Sequence, residues 1–370
     1  MKKLFERVIA VLDFIIPKDE KIIVFGGNEM RGINGNVAAV IKAWPSSQKT
    51  KGFKAYVISI HNEKFPGIEV IDPRSIKGIS VLLKAYTAVC SHISGDLYWH
   101  TLYNRKKRRI INLWHGSPLK RIVSWQGWGK TTALIAASKV ECLAFAACIE
   151  LPLENIFVTG LPRTDGLIKS PKRLKQEALT KLKLKDDGKK WILYIPTYRK
   201  SKGSEGYLHH LPDFSSKELK KTLEKHNAYL IVRSHINYIF PDFKGGDRVI
   251  VANFDLFSEV EPLYALADIL ITDYSSTMFE YLILNRPILG IAADLQKYSK
   301  IPGLLYDYET IFPGPIAKDW NSLQKLIEEA FKDPSKYESI RKDRLALFHK
   351  FLDGNSTSRV IDLITDLNIK

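Results

Sequence analysis

The stretch Ala267-Asp-Ile-Leu-Ile-Thr-Asp-Tyr-Ser-Ser-Thr-Met-Phe-Glu-Tyr281 joins an apolar strand to a helix through a short polar turn. The strand ends at Thr272, and the turn brings hydroxyl groups to a helix start, where backbone N–H groups are unpaired and the helix dipole is positive. Such a start binds phosphate. The side chains expected to contribute there are Asp273, Ser275, Ser276, Thr277 and Glu280. A plain capped helix explains the same pattern, since Ser and Thr caps are common.

Similar apolar runs lie on both sides of this stretch, separated by segments with helical spacing. In the first half of the chain the predicted strands are 21–27, 54–59, 68–72, 87–92, 109–114 and 155–160. In the second half they are 191–196, 228–234, 249–252, 269–272 and 287–291. Apolar strands that alternate with helices are typical of parallel sheets covered on both faces.

Proline and lysine become frequent between residues 161 and 190, which marks a domain boundary. We therefore predict an α/β protein with two doubly wound, Rossmann-like domains that face a cleft, followed by C-terminal helices. The predicted bounds are 1–165 for the first domain, 166–190 for a linker region and 191–370 for the second domain. Ligands of such sheets bind at the carboxyl ends of strands, so the functional residues should cluster there.

The chain carries 56 Lys and Arg against 40 Asp and Glu, a net charge of +16. This excess favours anionic partners such as phosphorylated substrates or acidic lipid surfaces. Nucleic acid is not expected, because no known nucleic-acid module is present and the basic run Arg105–Arg109 is not interleaved with aromatic residues. That run most often would be a solvated loop, although it fits anionic lipid headgroups too.

The first 16 residues place apolar side chains at helical spacing beside Lys2, Lys3 and Arg7. They predict an amphipathic helix that lies in a membrane interface, or one that docks on its own domain. No cleavage site follows, which argues against a signal peptide, and no uncharged apolar run reaches the about 18 residues that span a bilayer. The three cysteines show no metal-binding spacing and are expected to be reduced core residues of a cytosolic protein.

A histidine follows the predicted strand of residues 109–114. In Asn112-Leu-Trp-His-Gly-Ser-Pro-Leu-Lys120, Gly116 permits a tight turn and His115 stands at the strand end, where it can act as a general base. Lys120 follows as a further site candidate. A buried structural histidine is the alternative reading.

Three more polar sets stand at strand ends. Arg233 and His235 follow one strand and alternate toward one face, which suits a phosphate or pyrophosphate. Arg199 follows another, and Arg163 and Asp165 lie near the domain junction. Each set is weak alone, but their shared position at carboxyl strand ends predicts one site.

These motifs resemble those of the CDP-glycerol glycerophosphotransferases of wall teichoic acid synthesis, primases and polymerases together. The matching segments are Asn112–Lys120, Gly160–Asp165, Pro196–Arg199, Ile271–Glu280, Gly303–Glu309 and Pro313–Pro315. They cover roughly residues 25–367 in shared order. One departure is Ile236 after His235, where the family usually has proline, and it puts the exact role of His235 in doubt.

The resemblance implies a GT-B-like fold and transfer of glycerol phosphate from CDP-glycerol to a hydroxyl of an undecaprenyl-linked saccharide or growing polymer, with release of CMP. It implies an acceptor-side first domain and a donor-binding second domain. It makes His115 the candidate base, with His235 as a second catalytic candidate or a phosphate ligand, and Arg233, Ser275, Ser276 and Glu280 donor contacts. It also implies peripheral association with the cytoplasmic face of the bacterial membrane.

Several alternatives stay open at this point. The donor could be CDP-ribitol, or the chain could be a GT-B enzyme that transfers a nucleotide sugar, or a non-catalytic protein that binds polymer at a membrane surface. Because the family's catalytic region fills nearly the whole chain, a primase or short transferase is favoured over a large polymerase. No cofactor and no protein-held metal are predicted, although Mg²⁺ could assist the donor phosphates.

Overall fold

Two parallel sheets organise the chain in the computed structural model, which describes residues 2–92, 94–97, 108–122, 131–197, 207–233 and 246–366. The strands of the first sheet are β1 (Asp19–Phe25), β2 (Lys54–Ile58), β3 (Glu69–Ile71), β4 (Ala85–Cys90), β5 (Arg109–Asn112), β6 (Ala133–Ala136) and β7 (Ile156–Val158). Their order is β3-β2-β1-β4-β5-β6-β7 and every pairing is parallel. The strand order reverses between β1 and β4, which is the place where ligands of doubly wound sheets bind.

The second sheet has the same construction. Its strands are β8 (Lys190–Ile195), β9 (Ala228–Val232), β10 (Val249–Val251), β11 (Ile269–Thr272), β12 (Ile288–Ile291) and β13 (Ile316–Ala317). Their order is β10-β9-β8-β11-β12-β13, again with parallel pairing throughout. The order reverses between β8 and β11, so the stretch that follows β11 stands at the switch point of this sheet.

Helices connect the strands in both halves. In chain order they are α1 (Lys2–Ile15), α2 (Gly35–Ala43), α3 (Ile76–Lys84), α4 (Lys139–Ile149), α5 (Asp165–Lys169), α6 (Pro171–Leu182), α7 (Ser216–Lys225), α8 (Glu261–Leu266), α9 (Thr277–Tyr281), α10 (Leu295–Tyr298), α11 (Tyr308–Ile311), α12 (Trp320–Lys332), α13 (Glu338–Phe348) and α14 (Ser356–Thr365).

Helices cover both faces of the first sheet because successive side chains of a strand point to opposite faces. Ile23 and Phe25 of β1 belong to one buried cluster, which α2 and α14 complete. Ile22 and Val24, their neighbours in the strand, belong to a second cluster, which α1 and α3 complete. This two-sided burial explains why the strands read as apolar runs rather than as alternating patterns.

The second sheet is buried in the same way. Ile192 and Tyr194 of β8 share a cluster with Leu323 of α12, while the intervening Leu193 is also fully buried. The predicted class, α/β with two doubly wound parallel sheets, is therefore confirmed by the topology of each sheet.

The chain divides into two compact units whose bounds differ from the sequence prediction. The first comprises Met1–His115, Ile122–Asp165 and His349–Lys370, and the second comprises Gly116–Arg121 and Gly166–Phe348. The prediction for residues 349–370 needs correction, because it placed them in the second domain, whereas they belong to the first unit. Val360 and Ile364 of α14 are buried in the core of the first unit, and this burial keeps the helix there.

The predicted linker of residues 166–190 also needs correction. It contains α6, whose buried face includes Leu174 and Ala178, and this helix packs against α8 within the second unit. The segment is lysine-rich because the other face of an amphipathic helix is solvated.

Each predicted strand segment overlaps an observed strand. The sequence missed β6 and β13, which have four and two residues. Short apolar runs of this kind cannot be told from buried helix by periodicity. Among the described helices, none is long and apolar enough to cross a membrane.

Candidate active site

Two histidines stand side by side at the edge of the first sheet. β4 and β5 are neighbouring parallel strands, and their carboxyl ends are followed by His92 and His115. Both residues therefore lie next to the switch point between β1 and β4. The structure places the predicted base His115 where a ligand of a doubly wound sheet is expected.

The imidazole of His115 lies between two other rings. The His92 ring is parallel to it at 4.1 Å between centroids and 6°, and the Trp114 ring lies at 4.8 Å and 18°. The Nδ1 atom is 3.3 Å from the carbonyl oxygen of Ser91. Since a carbonyl only accepts hydrogen bonds, Nδ1 carries the proton and Nε2 keeps its lone pair. Nε2 is therefore the ring nitrogen that can accept a proton, and His115 is an exposed residue.

The surroundings of His115 favour the neutral ring. The protein groups packed around the ring displace part of its water and lower the pKa of His115 below its usual value, and the neighbouring His92 and Arg163 act in the same direction. The Ser91 carbonyl and Asp96 act in the opposite direction but do not overcome the desolvation. At neutral pH the imidazole is therefore uncharged and competent as a base.

A network of amides shapes the turn that presents His115. The Asn112 side chain accepts a hydrogen bond from the backbone N–H of Trp114 at 2.8 Å and donates to the carbonyl of His92 at 2.7 Å. Asn36 of α2 donates to the carbonyl of Leu113 at 2.7 Å. These contacts end β5 at Asn112 and hold Trp114 at a positive φ of 50°, earlier than the predicted strand end.

The predicted site residues Arg163 and Asp165 have different surroundings. The Arg163 guanidinium donates to the carbonyl oxygen of His115 at 3.3 Å, so the structure does bring it to the histidine turn. The Asp165 carboxylate instead accepts the backbone N–H groups of Ser356 at 3.0 Å and Thr357 at 2.8 Å, at the start of α14. Asp165 thus caps a helix, and its site role stays a prediction.

Sequence reasoning missed His92 and the buried carboxylate beside it. Asp96 is fully buried and accepts from the backbone N–H groups of Ser91 at 2.7 Å, His92 at 2.8 Å and Glu29 at 2.8 Å. A signal was present, since His92 follows an apolar strand just as His115 does. Without the strand order, nothing in the sequence showed that the two strands are neighbours.

In the second unit, Asp273 joins two strand ends. The residue is fully buried, and its carboxylate accepts the backbone N–H of Thr197 at 2.7 Å. Its carbonyl accepts the hydroxyl of Tyr308 at 2.9 Å. These contacts link the end of β11 to the end of β8. The phosphate contact predicted for Asp273 stays a prediction, and the observed contacts give the carboxylate a structural role.

The predicted phosphate-binding turn leads into a short helix. α9 has five residues and continues into a single 3₁₀ turn at Leu282–Leu284. The Ser275 hydroxyl accepts the backbone N–H of Thr277 at 3.4 Å, whereas Ser276 at the N-cap position makes no side-chain cap bond. The three hydroxyl residues 275–277 are half-buried, and Glu280 is buried.

Gly116 packs against this turn. Its φ is +136°, and a Cβ built at this position would lie 3.1 Å from Oε1 of Glu280 and 3.3 Å from Oγ of Ser276. Only glycine fits both the backbone conformation and the space. The glycine of the histidine motif therefore contacts two of the residues predicted to bind the donor.

The residues after Gly116 run along the second unit. Lys120 forms an antiparallel bridge with Leu304, and the backbone N–H of Arg121 donates to the carbonyl of Gly303 at 3.0 Å. This pairing explains why the short segment Gly116–Arg121 belongs to the second unit although the chain on either side belongs to the first. Lys120 is an exposed residue, and its site role stays a prediction.

Arg233 is nearly buried and holds a loop. Its guanidinium donates to the backbone carbonyls of Ala252, Asn253 and Phe257, and it lies 5.6 Å from the ring of Phe254. The phosphate contact predicted for Arg233 is untested, and these contacts show an anchor for the segment after β10. The other two predicted cations of this unit, Arg199 and His235, lie outside the described residues.

No metal cluster is evident in the part of the chain that the structure describes: no three His, Cys, Asp or Glu side chains are grouped to hold an ion. The three cysteines are free thiols, with Cys90 and Cys142 buried.

Comparison with known proteins decides the family. Residues 8–366 match the model of the family described as CDP-Glycerol:Poly(glycerophosphate) glycerophosphotransferase. The chain belongs to this family. The resemblance stated from the motifs is thereby confirmed, and the family's description agrees with the predicted glycerophosphotransferase function.

Members of the family from Bacillus align with most of the chain. A teichoic acid glycerol-phosphate primase of Bacillus subtilis is 28% identical, with 82% of this chain and 81% of the primase aligned. A teichoic acid poly(ribitol-phosphate) polymerase of Bacillus spizizenii is 26% identical over 95% of this chain. The chain spans only 57% of that polymerase's length.

A solved structure confirms the predicted fold. The wall teichoic acid polymerase TagF matches with a TM-score of 0.81 at 23% identity, covering 100% of this chain and 95% of the other. The chain therefore has the TagF fold, the GT-B-like fold with two parallel α/β sheets that the sequence predicted.

Proposed function

We propose that the chain transfers glycerol phosphate from CDP-glycerol to a hydroxyl group of a lipid-linked saccharide or a growing polymer, and releases CMP. Family membership supports the reaction class. The observation that carries the mechanism is the geometry of His115 at the end of β5: Nδ1 lies 3.3 Å from the Ser91 carbonyl, which accepts its N–H, so Nε2 is left to accept a proton.

In the proposed step, the acceptor hydroxyl gives its proton to Nε2 of His115. Its oxygen forms a bond to the glycerol-bearing phosphorus, and the bond from that phosphorus to the bridging oxygen of the diphosphate breaks. CMP leaves with the bond electrons. Phosphoryl transfer needs positioning and charge neutralisation more than covalent help from the protein.

Several residues of the second unit are proposed to hold the donor. Ser275, Ser276 and Thr277 offer hydroxyls at the switch point of the second sheet, and Glu280 is proposed to accept from a hydroxyl of the donor. Arg199 and His235 are proposed as phosphate ligands, with Lys120 as a further cation. For Arg233 we propose support of the adjoining loop, because its guanidinium is bonded to backbone carbonyls.

The direct test is a transfer assay. The protein is incubated with a disaccharide-lipid acceptor and either CDP-glycerol or CDP-ribitol, and the acceptor is weighed by mass spectrometry. We expect added glycerol phosphate and an equal amount of CMP. Addition from nucleotide sugars alone would favour a glycosyltransferase, and tight polymer binding without CMP release would favour a non-catalytic protein.

CDP-ribitol is the second candidate donor. It is favoured by one observation: the ribitol-phosphate polymerase of Bacillus spizizenii aligns with 95% of the chain at 26% identity, much as the glycerol-phosphate relatives do. The same assay separates the two donors, because their products differ in mass.

We also propose that α1 carries the protein to the cytoplasmic face of the membrane. Ile9 and Asp13 are buried, and Asp13 pairs with Lys18 at 2.7 Å and with the buried Arg108. This anchor leaves an apolar surface exposed on the helix: Val8, Val11, Leu12, Phe14 and Ile15. Exposed apolar residues on a helix of a basic protein suit an interface with acidic headgroups.

Vesicle sedimentation tests the membrane proposal. The double variant Val11→Glu/Phe14→Glu should lose binding to vesicles that contain anionic lipid, and should keep CMP release with a soluble acceptor analogue. Unchanged sedimentation would contradict the proposal. Ile76→Glu is the matched control, since Ile76 is 90% exposed but lies on α3.

A further inference from the structure

Three aromatic rings lie in one stack at the ends of β4 and β5. His115 is in the middle, with His92 on one face at 4.1 Å and Trp114 on the other at 4.8 Å. With a ring on each face, the imidazole cannot turn about its last torsion without a collision. Since Nδ1 faces the Ser91 carbonyl, Nε2 is the ring nitrogen that keeps its lone pair.

The outer ring of this stack is itself held in place. Nδ1 of His92 is 2.8 Å from Oγ of Ser91, and that hydroxyl is 3.0 Å from Oδ2 of Asp96. A carboxylate accepts, so the hydroxyl donates to Asp96 and in turn accepts from Nδ1–H of His92. Asp96 is fully buried and also accepts two backbone N–H groups of residues 91 and 92. His92 is therefore oriented by a buried acid through one intervening serine.

We infer that His92 is a positioning residue for the transfer reaction: its planar ring, fixed by Ser91 and Asp96, holds the imidazole of His115 with Nε2 toward the acceptor hydroxyl. His92 exchanges no proton with the substrate in this role. The inference rests on the proposed function, in which His115 is the base, and it adds the second histidine that the family motif does not contain.

Electrostatics around the stack agree with this role. Removal from water lowers the pKa of His92 to about 4, and the charge of Arg31 acts in the same direction. Arg163 and Asp96 are the charged groups that act on His115. A neutral His92 can lie face to face with a neutral His115, whereas two charged rings at this distance would repel.

Substitution of His92 separates positioning from proton transfer. His92→Phe keeps a planar ring, His92→Leu keeps an apolar side chain without a plane, and His92→Ala removes both. For His92→Ala we expect kcat to fall about 10- to 100-fold, since a small displacement of a reacting group has effects of this size. The KM for CDP-glycerol should change little. His92→Phe should recover most of kcat, and His92→Leu should not.

Two controls make the outcome decisive. His226→Ala removes a histidine that stacks on Phe331 at 4.7 Å in the second unit, and it should keep wild-type kcat. Thermal unfolding of each variant shows whether it folds. If folded His92→Ala keeps kcat within about twofold, or if His92→Phe is as slow as His92→Ala, the positioning role is wrong. If instead His115→Ala keeps turnover, His115 is not the base. That outcome contradicts the proposed mechanism and is distinguishable from a failure of the positioning role of His92.

Discussion

The ends of β4 and β5 in the first unit and the end of β11 in the second carry polar residues for different reasons. At the first place a buried acid, Asp96, accepts the hydroxyl of Ser91 beside the stacked pair of His92 and His115, and His115 is an exposed residue. At the second place the acid itself, Asp273, is buried and ties β11 to β8, and the residues that follow it carry half-buried hydroxyls. The first arrangement suits proton transfer, and the second suits the binding of an anion.

The largest effect that this comparison predicts is the loss of the base. His115→Ala should lower kcat about 10²- to 10⁴-fold, the usual range for a general base. Binding of CDP-glycerol, measured by calorimetry, should stay near the wild-type value, because donor binding is assigned to the second unit. His226→Ala serves as control. If His115→Ala keeps its kcat but loses CDP-glycerol binding, His115 belongs to the donor site and is not the base.

The next effect concerns Gly116, which packs against the turn after β11 within the second unit. Gly116→Ala places a Cβ 3.1 Å from Glu280 and 3.3 Å from Ser276 at an unfavourable φ of +136°. Backbone strain of this kind costs about 1–3 kcal/mol, and the KM for the donor should rise as the two side chains shift. Gly188→Ala is the matched control, with φ +78° and nothing within 4 Å.

Kinetics and urea unfolding of both glycine variants check this prediction. Equal donor KM values for Gly116→Ala and Gly188→Ala would show that the packing against Glu280 and Ser276 does not affect donor binding.

A smaller effect is expected at Asp165, which the sequence counted among the site candidates. Asp165→Ala removes the cap of α14 and should lower the free energy of unfolding by about 0.5–2 kcal/mol. The kcat at a temperature where the variant is folded should stay near wild type. Glu69→Ala, which breaks the exposed pair with Lys77, should lie within about 1 kcal/mol of wild type. A fall in kcat without a loss of stability would show that Asp165 contributes to the reaction and is not only a helix cap.

The remaining effect is the pH dependence of stability. In the folded protein the pKa of His92 is lowered from 6.5 to about 4, and the pKa of His115 is lowered from 6.5 in the same direction. The unfolded chain therefore binds more protons below about pH 6.5, and the free energy of unfolding falls as the pH is lowered from there toward 4. The His92→Phe/His115→Phe double variant should lose less stability than wild type between pH 7 and 5 in urea titrations. Equal losses would contradict the lowered pKa values.

Much of the fold could be predicted from the sequence, because strands buried on both faces are continuous apolar runs. Ile22–Phe25 is such a run, and it lies where it was expected. The position of α14 could not be predicted, because an amphipathic helix shows that it buries a face but not which sheet it covers. The two-residue β13 carries too little pattern to be recognised.

The candidate site could be predicted only in part, because the contacts of a residue at a strand end depend on tertiary structure. A histidine or an acid at a strand end is visible in the sequence, but its partner depends on strand order. His115 lies beside His92 because β4 and β5 are neighbours, and Asp165 meets α14 only through tertiary folding. The sequence therefore showed which residues follow strand ends, but it did not separate Asp165, which caps a helix, from Arg163, which contacts the histidine turn.

The central claim is that His115 presents an unprotonated Nε2 at neutral pH. The most direct measurement is the ¹⁵N NMR spectrum of histidine-labelled protein at pH 7, with His115→Gln used to assign the resonances. The account predicts a neutral ring for His115 with the proton on Nδ1, hydrogen-bonded to the Ser91 carbonyl. An imidazolium, or a neutral ring with the proton on Nε2, would contradict it.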